Sequence, residues 1–263
     1  VSRPNEIPTE IAISEAELSA LTNHLDDMHQ DSMSDVRESM VSLTDRFASA
    51  TRSIATRRTF LLGGAAVVGG AALAACSSSS SGGSTTKAGS STSASPYTGD
   101  LKVVALAAAL ENLAVAGYGM VLKSAGKGTY GKVPPAIGQF VTTARQQHMD
   151  HASAWNSVLT NAKLPKVSGT PLTITGSTVK APQAAKTIPA VAMVALSLEN
   201  AAAETYVFAA TNVSDAGGIQ TAASIAPVEA MHAAILSFVL GQYPVPNSDI
   251  GTSNAVKPTA LTV

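Results

Sequence analysis

The sequence predicts an all-α fold, an antiparallel four-helix bundle with a long crossover between its second and third helices. Three observations carry that prediction. The 263-residue chain is 45% hydrophobic but only 4% aromatic, and alanine supplies much of the apolar count. Small side chains of that kind suit close-packed helices better than a β-sandwich, which favours β-branched and aromatic residues. Four long helical patterns follow a Ser/Gly-rich stretch, and the four fall into two halves built to one plan.

Each helix has its own boundary signals. The first is expected over about 100–124, closed by Ala125-Gly126-Lys127-Gly128. The second starts behind Pro134-Pro135, a good helix-start position, and runs to about Ala162. Residues 163–187, rich in Pro, Gly and β-branched side chains, form the crossover, with a short β-hairpin expected at 172–177. The third helix spans about 189–212, and the fourth about 219–240, stopping before Pro244 and Pro246. Short links make each sequential pair antiparallel, while the long middle link carries the chain across the bundle.

What precedes the bundle reads as an address label. Residues 1–56 are an acidic leader; ten of the eighteen acidic residues lie between Glu6 and Asp45. Leu18, Leu21, Leu25 and Met28 give this leader a loose helical period. Residues 57–75 begin with Arg57-Arg58, continue as an apolar run diluted by glycine, and end in Leu73-Ala74-Ala75 before Cys76. This segment resembles a twin-arginine export signal joined to a bacterial lipobox, with Cys76 as the lipidated residue. An apolar run from Thr59 to Ala75 is shorter than the roughly 20 residues that span a bilayer comfortably. The expected location is therefore the outer face of a bacterial plasma membrane, reached by export and held by lipid. The leader would then be removed, so His24 and His29 are set aside as ligands. Residues 76–98, almost wholly Ser, Gly, Thr and Ala, form a tether. Residues 99–243 are the bundle and 244–263 a Pro-containing tail. A formal net charge of -1 without a basic stripe gives no sign of nucleic-acid binding. A lone cysteine excludes an intrachain disulfide and a Cys-based zinc site.

The internal repeat points to chemistry. Helix one carries Leu110-Glu111-Asn112 with Tyr118 seven residues after the Glu; helix three carries Leu198-Glu199-Asn200 with Tyr206 at the same spacing. Helix two has His148 and His151, and helix four has Glu229 and His232, each pair three apart and so on one helix face. From Cys76 onward there are only eight carboxylates and three histidines, and three of the former and all of the latter occupy these positions. Buried carboxylates are costly unless paired, protonated or metal-bound, so their convergence with imidazoles predicts a metal site. Glu204 and Asp150 fall on other faces and are read as solvated. Gln146 and Gln147 are read as off the face of His151. Tyr118, Tyr206 and Trp155 are read mainly as packing, and Arg145 as a cation able to neutralise the carboxylates.

On these residues the chain resembles the ferritin-like superfamily, particularly its exported bacterial members, over about 100–242. The resemblance implies a terminal Glu from helices one and three and a Glu-x-x-His motif from helices two and four. Glu111, Glu199, Glu229 and His232 match; His148 stands where the family has Glu, and a neutral imidazole has one lone pair and cannot bridge two metals. The implied ligands are Glu111, His148, His151, Glu199, Glu229 and His232. The implied cofactor is iron or manganese, as a dinuclear or degenerate mononuclear site with oxidoreductase or metal-handling activity. The alternative is a metal-free binding or structural module of the cell envelope. Expected partners are the membrane, metal ions, and a second copy or an envelope protein.

Overall fold

Reciprocal capping opens the first helix. The Ser14 hydroxyl accepts from the Glu17 amide and the Glu17 carboxylate accepts from the Ser14 amide, both at 3.2 Å. This capping box starts α1 (Glu15–Gly63). The computed structural model describes residues 10–63 and 95–263. α2 (Asp100–Gly126) follows Gly99, whose φ of 55° suits glycine. α3 (Pro135–Asn161) has its proline in the first turn, where no helical amide partner is lost. α5 (Ile188–Asn212) is capped by the Thr187 hydroxyl, which accepts from the Ala190 amide at 3.3 Å. α6 (Ala216–Val239) is capped by the Asp215 carboxylate, which accepts from the Gly217 and Gly218 amides at 2.8 and 3.2 Å. The four expected helices are thus α2, α3, α5 and α6, and the all-α class holds.

The crossover differs from expectation. No hairpin forms at 172–177; the chain turns helical as α4 (Thr175–Ala184). Leu172 finds its extended partner elsewhere, in an isolated antiparallel bridge to Leu261. The Thr173 amide donates to the Ala260 carbonyl at 2.8 Å, and the Thr262 amide to the Pro171 carbonyl at 2.9 Å. The C-terminal tail is therefore folded back. Its Asn254 donates from both backbone and side chain to Glu204 at 2.6 and 2.9 Å, so Glu204 anchors the tail rather than facing solvent alone.

Packing places the pairs and then separates them. α2 lies along α3 and α5 along α6, while α2 meets α5 only sparsely and α3 barely touches α6. α1 contacts both α3 and α6 and so fills the groove between them. Its buried residues run Leu18, Thr22, Leu25, His29, Met33, Val36, Met40 and Leu43, in steps of three and four that make one helical stripe. A Cβ on Gly217 would collide with the Ser39 carbonyl, so glycine lets α1 approach the first turn of α6. Arg46 pairs with Asp215 at 2.9 Å beside that approach. Two apolar clusters form the core. One gathers Val104, Leu106, Trp155, Leu159 and Ile225; the other gathers Phe140, Ala144, Ala192, Leu236 and Val239. The repeated Glu and His positions fall between these clusters, at mid-height.

Candidate metal centre

Each site residue is aimed inward by its place on a core-facing stripe. Glu111 on α2, His148 and His151 on α3, Glu199 on α5, and Glu229 and His232 on α6 are all buried. The structure brings the six together. One group, Glu111, His148, His151 and Glu229, offers ligand atoms within 4.8 Å of one another. A second, His148, Glu199, Glu229 and His232, does the same. His148 and Glu229 belong to both. They are the corresponding residues of the two halves, so the pseudo-twofold relation read from the repeat is present in space.

The distances show how charge is balanced. His148 Nδ1 lies 2.7 Å from Glu111 Oε2 and its Nε2 3.3 Å from Glu199 Oε1. His151 Nδ1 is 3.3 Å from Glu229 Oε1, and His232 Nδ1 is 3.4 Å from Glu199 Oε2. Burial works against the charged forms of Glu111, Glu199, His148, His151 and His232, yet the neighbours outweigh it. Burial alone would raise the Glu111 carboxyl, but His151 and His148 bring it down to about 2. Burial alone would lower His151, but Glu111 and Glu229 lift it to about 9. By the same opposition Glu199 is held well below, and His148 well above, its ordinary value, and His232 is raised. Without metal, imidazolium cations neutralise the carboxylates.

The tyrosines cross between halves. Tyr118 of α2 donates to Glu199 of α5, and Tyr206 of α5 donates to Glu111 of α2. Burial and the adjacent carboxylates push both phenols well above 10, which keeps them protonated as donors. Trp155 donates from Nε1 to the Tyr206 oxygen at 3.0 Å, extending that chain. These aromatic residues pack, as expected, and they also orient the ligand carboxylates.

A family model described as the ferritin-like domain matches residues 99–242. The chain belongs to the ferritin-like family. No curated protein and no solved structure matches it. The match covers the bundle from the turn before α2 to just past α6, and so contains all six candidate ligands of this ferritin-like chain. Members of the superfamily hold metal between such helices, and the donor set here fits that use. Among the described residues, His151 Nδ1, His232 Nδ1, Glu199 Oε2 and both Glu229 oxygens are buried without a hydrogen bond and meet as ion pairs at 3.3, 3.4 and 3.6 Å. Core polar atoms that make no hydrogen bond are costly, and a cation shared among them would offset that cost.

Some sequence expectations need correction or completion. Gln147 is not off the site: fully buried, it accepts from His232 Nε2 through Oε1 at 2.8 Å. Its Nε2 donates to Asp26 of α1 at 3.1 Å. That second bond fixes the amide's orientation, so His232 donates from Nε2 and turns Nδ1 toward the carboxylates, where it is protonated in the metal-free protein and would be the ligand atom for an ion. His29 of α1 is also buried, its ring 5.1 Å from that of His151 and its Nε2 3.5 Å from Asp150 Oδ2. Burial, reinforced by the charge on His151, lowers His29 to about 4, so its ring is neutral. Arg145 forms no ion pair with the cluster among the described residues; its buried Nε, without a hydrogen bond there, lies near Gly119 of α2. Arg57 and Arg58 fall on the α1 backbone, but their side chains, like all of Cys76, lie outside the described residues. The sequence signal that could have found Asp26 and His29 was the three-four stripe of α1, disguised by polar Thr22 and His29.

Proposed function

We propose that this ferritin-like bundle binds one or two divalent transition-metal ions, iron or manganese, and serves as a metal-dependent oxidoreductase or a metal-handling protein. One observation carries the reading. Buried nitrogen and oxygen atoms of His151, His232, Glu199 and Glu229 converge on one another at 3.3, 3.4 and 3.6 Å and make no hydrogen bond among the described residues. Glu111, His151 and Glu229 would hold one ion, and Glu199, His232 and Glu229 the other, with His148 serving one of them. Mixed imidazole and carboxylate donors suit these metals. Such an ion, when bound, supplies redox and Lewis-acid chemistry. The chain's own residues do the rest. Tyr118 and Tyr206 hold the terminal carboxylates, Gln147 sets the His232 tautomer, and the apolar clusters above and below exclude water. Elemental analysis and Mn2+ titration of the full chain test this reading. One or two retained equivalents are expected, with loss in a Glu111→Gln, Glu199→Gln double variant. Retention undiminished in that variant, or no metal in the parent protein, overturns it.

His148 favours a second reading. Its two nitrogens already engage Glu111 and Glu199, completing a charge-balanced network that needs no ion. On that reading the bundle is a metal-free binding or structural module. The same titration separates the two.

We propose further that the chain is exported and anchored on the outer face of a bacterial plasma membrane. Arg57-Arg58, the apolar run and the small residues before Cys76 support this. A diacylglyceryl group on Cys76 would give firm attachment, since two acyl chains suffice where one does not.

A further inference from the structure

The two helix pairs stand apart on both sides of the bundle. On one side α1 fills the gap between α3 and α6 with side chains of its own. On the other side, between α2 and α5, a cleft of about 150 Å³ remains among the described residues. Small residues make that space: Ala114 and Gly117 on α2 and Ala195 and Ala202 on α5 line it. A Cβ on Gly117 would meet nothing within 4 Å. α4 lies across α2 and α5, contributing Thr178 and Pro182, with Ile174 just before it, as a partial roof. At its inner end the cleft reaches Glu111, His148 and Glu199, three of the proposed metal ligands. Elsewhere the walls are almost wholly hydrocarbon.

We propose that this cleft binds a small uncharged apolar molecule, or the hydrocarbon end of a larger one, and seats it against the Glu111, His148 and Glu199 face of the cluster. The inference extends the metal-centre reading, because the cleft ends on those ligands. The size sets the class of occupant. An apolar cavity of roughly 150 Å³ accommodates benzene, which corresponds to one ring or a chain of about six carbons. A helix like α1 would need far more room, and α4 already covers part of the opening. Polar or charged molecules would lose hydration against walls that offer no hydrogen bonds. The wide end of the cleft is therefore a hydrocarbon site, and only its floor is chemically active.

Benzene is the probe, tested by thermal unfolding of the full chain after metal removal, with equimolar propanediol as the polar control. Near-saturating benzene should raise Tm by about 3 °C, while propanediol should not. Gly117→Leu and Ala195→Phe add side chains into the open space and should abolish the benzene shift while keeping helix content. Saturation transfer from protein methyl groups to benzene in the unaltered chain gives a second measurement that needs no variant. No shift and no transfer, or an equal shift in the filled variants, overturns the proposal. So does a dimer, seen in sedimentation, that Gly117→Leu dissociates and benzene leaves intact, since the cleft would then be an interface between copies. Mn2+ retention is read in the unaltered chain. Mn2+ kept there without benzene binding condemns the cleft alone; benzene bound there without Mn2+ retention condemns the metal centre alone.

Discussion

At His148 an imidazole stands between Glu111 and Glu199 where the family places a fourth carboxylate, and the exchange changes the sign of one charge in the cluster. In the metal-free protein, His148→Glu removes the partner of both Glu111 and Glu199 and adds a buried anion. Breaking a buried pair in this way costs about 3–5 kcal/mol. The expected result by calorimetry is a lower Tm that Mn2+ or Fe2+ raises above the parent's metal-bound value, because the new carboxylate can bridge. A Tm that metal leaves unmoved would favour the metal-free module. The same charges set a pH profile. His148, His151 and His232 have folded values raised above 6.5, so their contribution is complete below pH 6.5. It is lost as pH rises through the folded values, about 9 for His151. Glu111 and Glu199 are depressed below 4.5, so their contribution is complete above pH 4.5 and fades on acidification, toward about 2 for Glu111. The metal-free chain should therefore be most heat-stable between pH 4.5 and 6.5, and His151→Gln should blunt the alkaline fall. A profile flat from pH 5 to 9 would contradict the ion-paired cluster.

The helices of the bundle were legible because their stop and start residues are explicit. Pro134-Pro135 marks one helix start, the Gly126 turn and Pro244 mark two stops, and the Leu-Glu-Asn repeat identified which turns would meet; the caps Thr187 and Asp215 went unread, so α6 begins three residues earlier than expected. The crossover was less legible for a physical reason. Leu172-Thr-Ile has strand character, but its partner is Leu261, some ninety residues on, and no local pattern announces so distant a pairing. α1 was hardest to read. Its buried face includes Thr22 and His29, whose polarity hides the stripe, and its docking depends on a glycine in another helix. Gly217→Ala tests that dependence: the added methyl must push α1 away from α6, at a cost of about 1–3 kcal/mol. Amide exchange within residues 15–46 should quicken several-fold while α2, α3 and α5 keep their protection. Unchanged exchange in α1 would show that the close approach is not required.

At the scale of the whole chain, the proposed export signal and the fold make competing claims on the N-terminal region. Cys76→Ala should abolish incorporation of labelled palmitate, and Arg57→Lys with Arg58→Lys should leave the chain inside the cell. Label persisting without the thiol would end the anchor proposal. If processing does occur at Cys76, α1 leaves with Asp26 and His29, and the groove between α3 and α6 is bared beside His151 and Gln147. Cleavage would then act on the cluster as well as on the address. The crossed tyrosine bonds carry a different implication. Neither half of the bundle completes its own carboxylate, since Tyr118 holds Glu199 and Tyr206 holds Glu111. A helix pair living alone would have had to borrow that phenol from a twin. One polypeptide thus holds the mutual dependence that two separate helix pairs could meet only by associating.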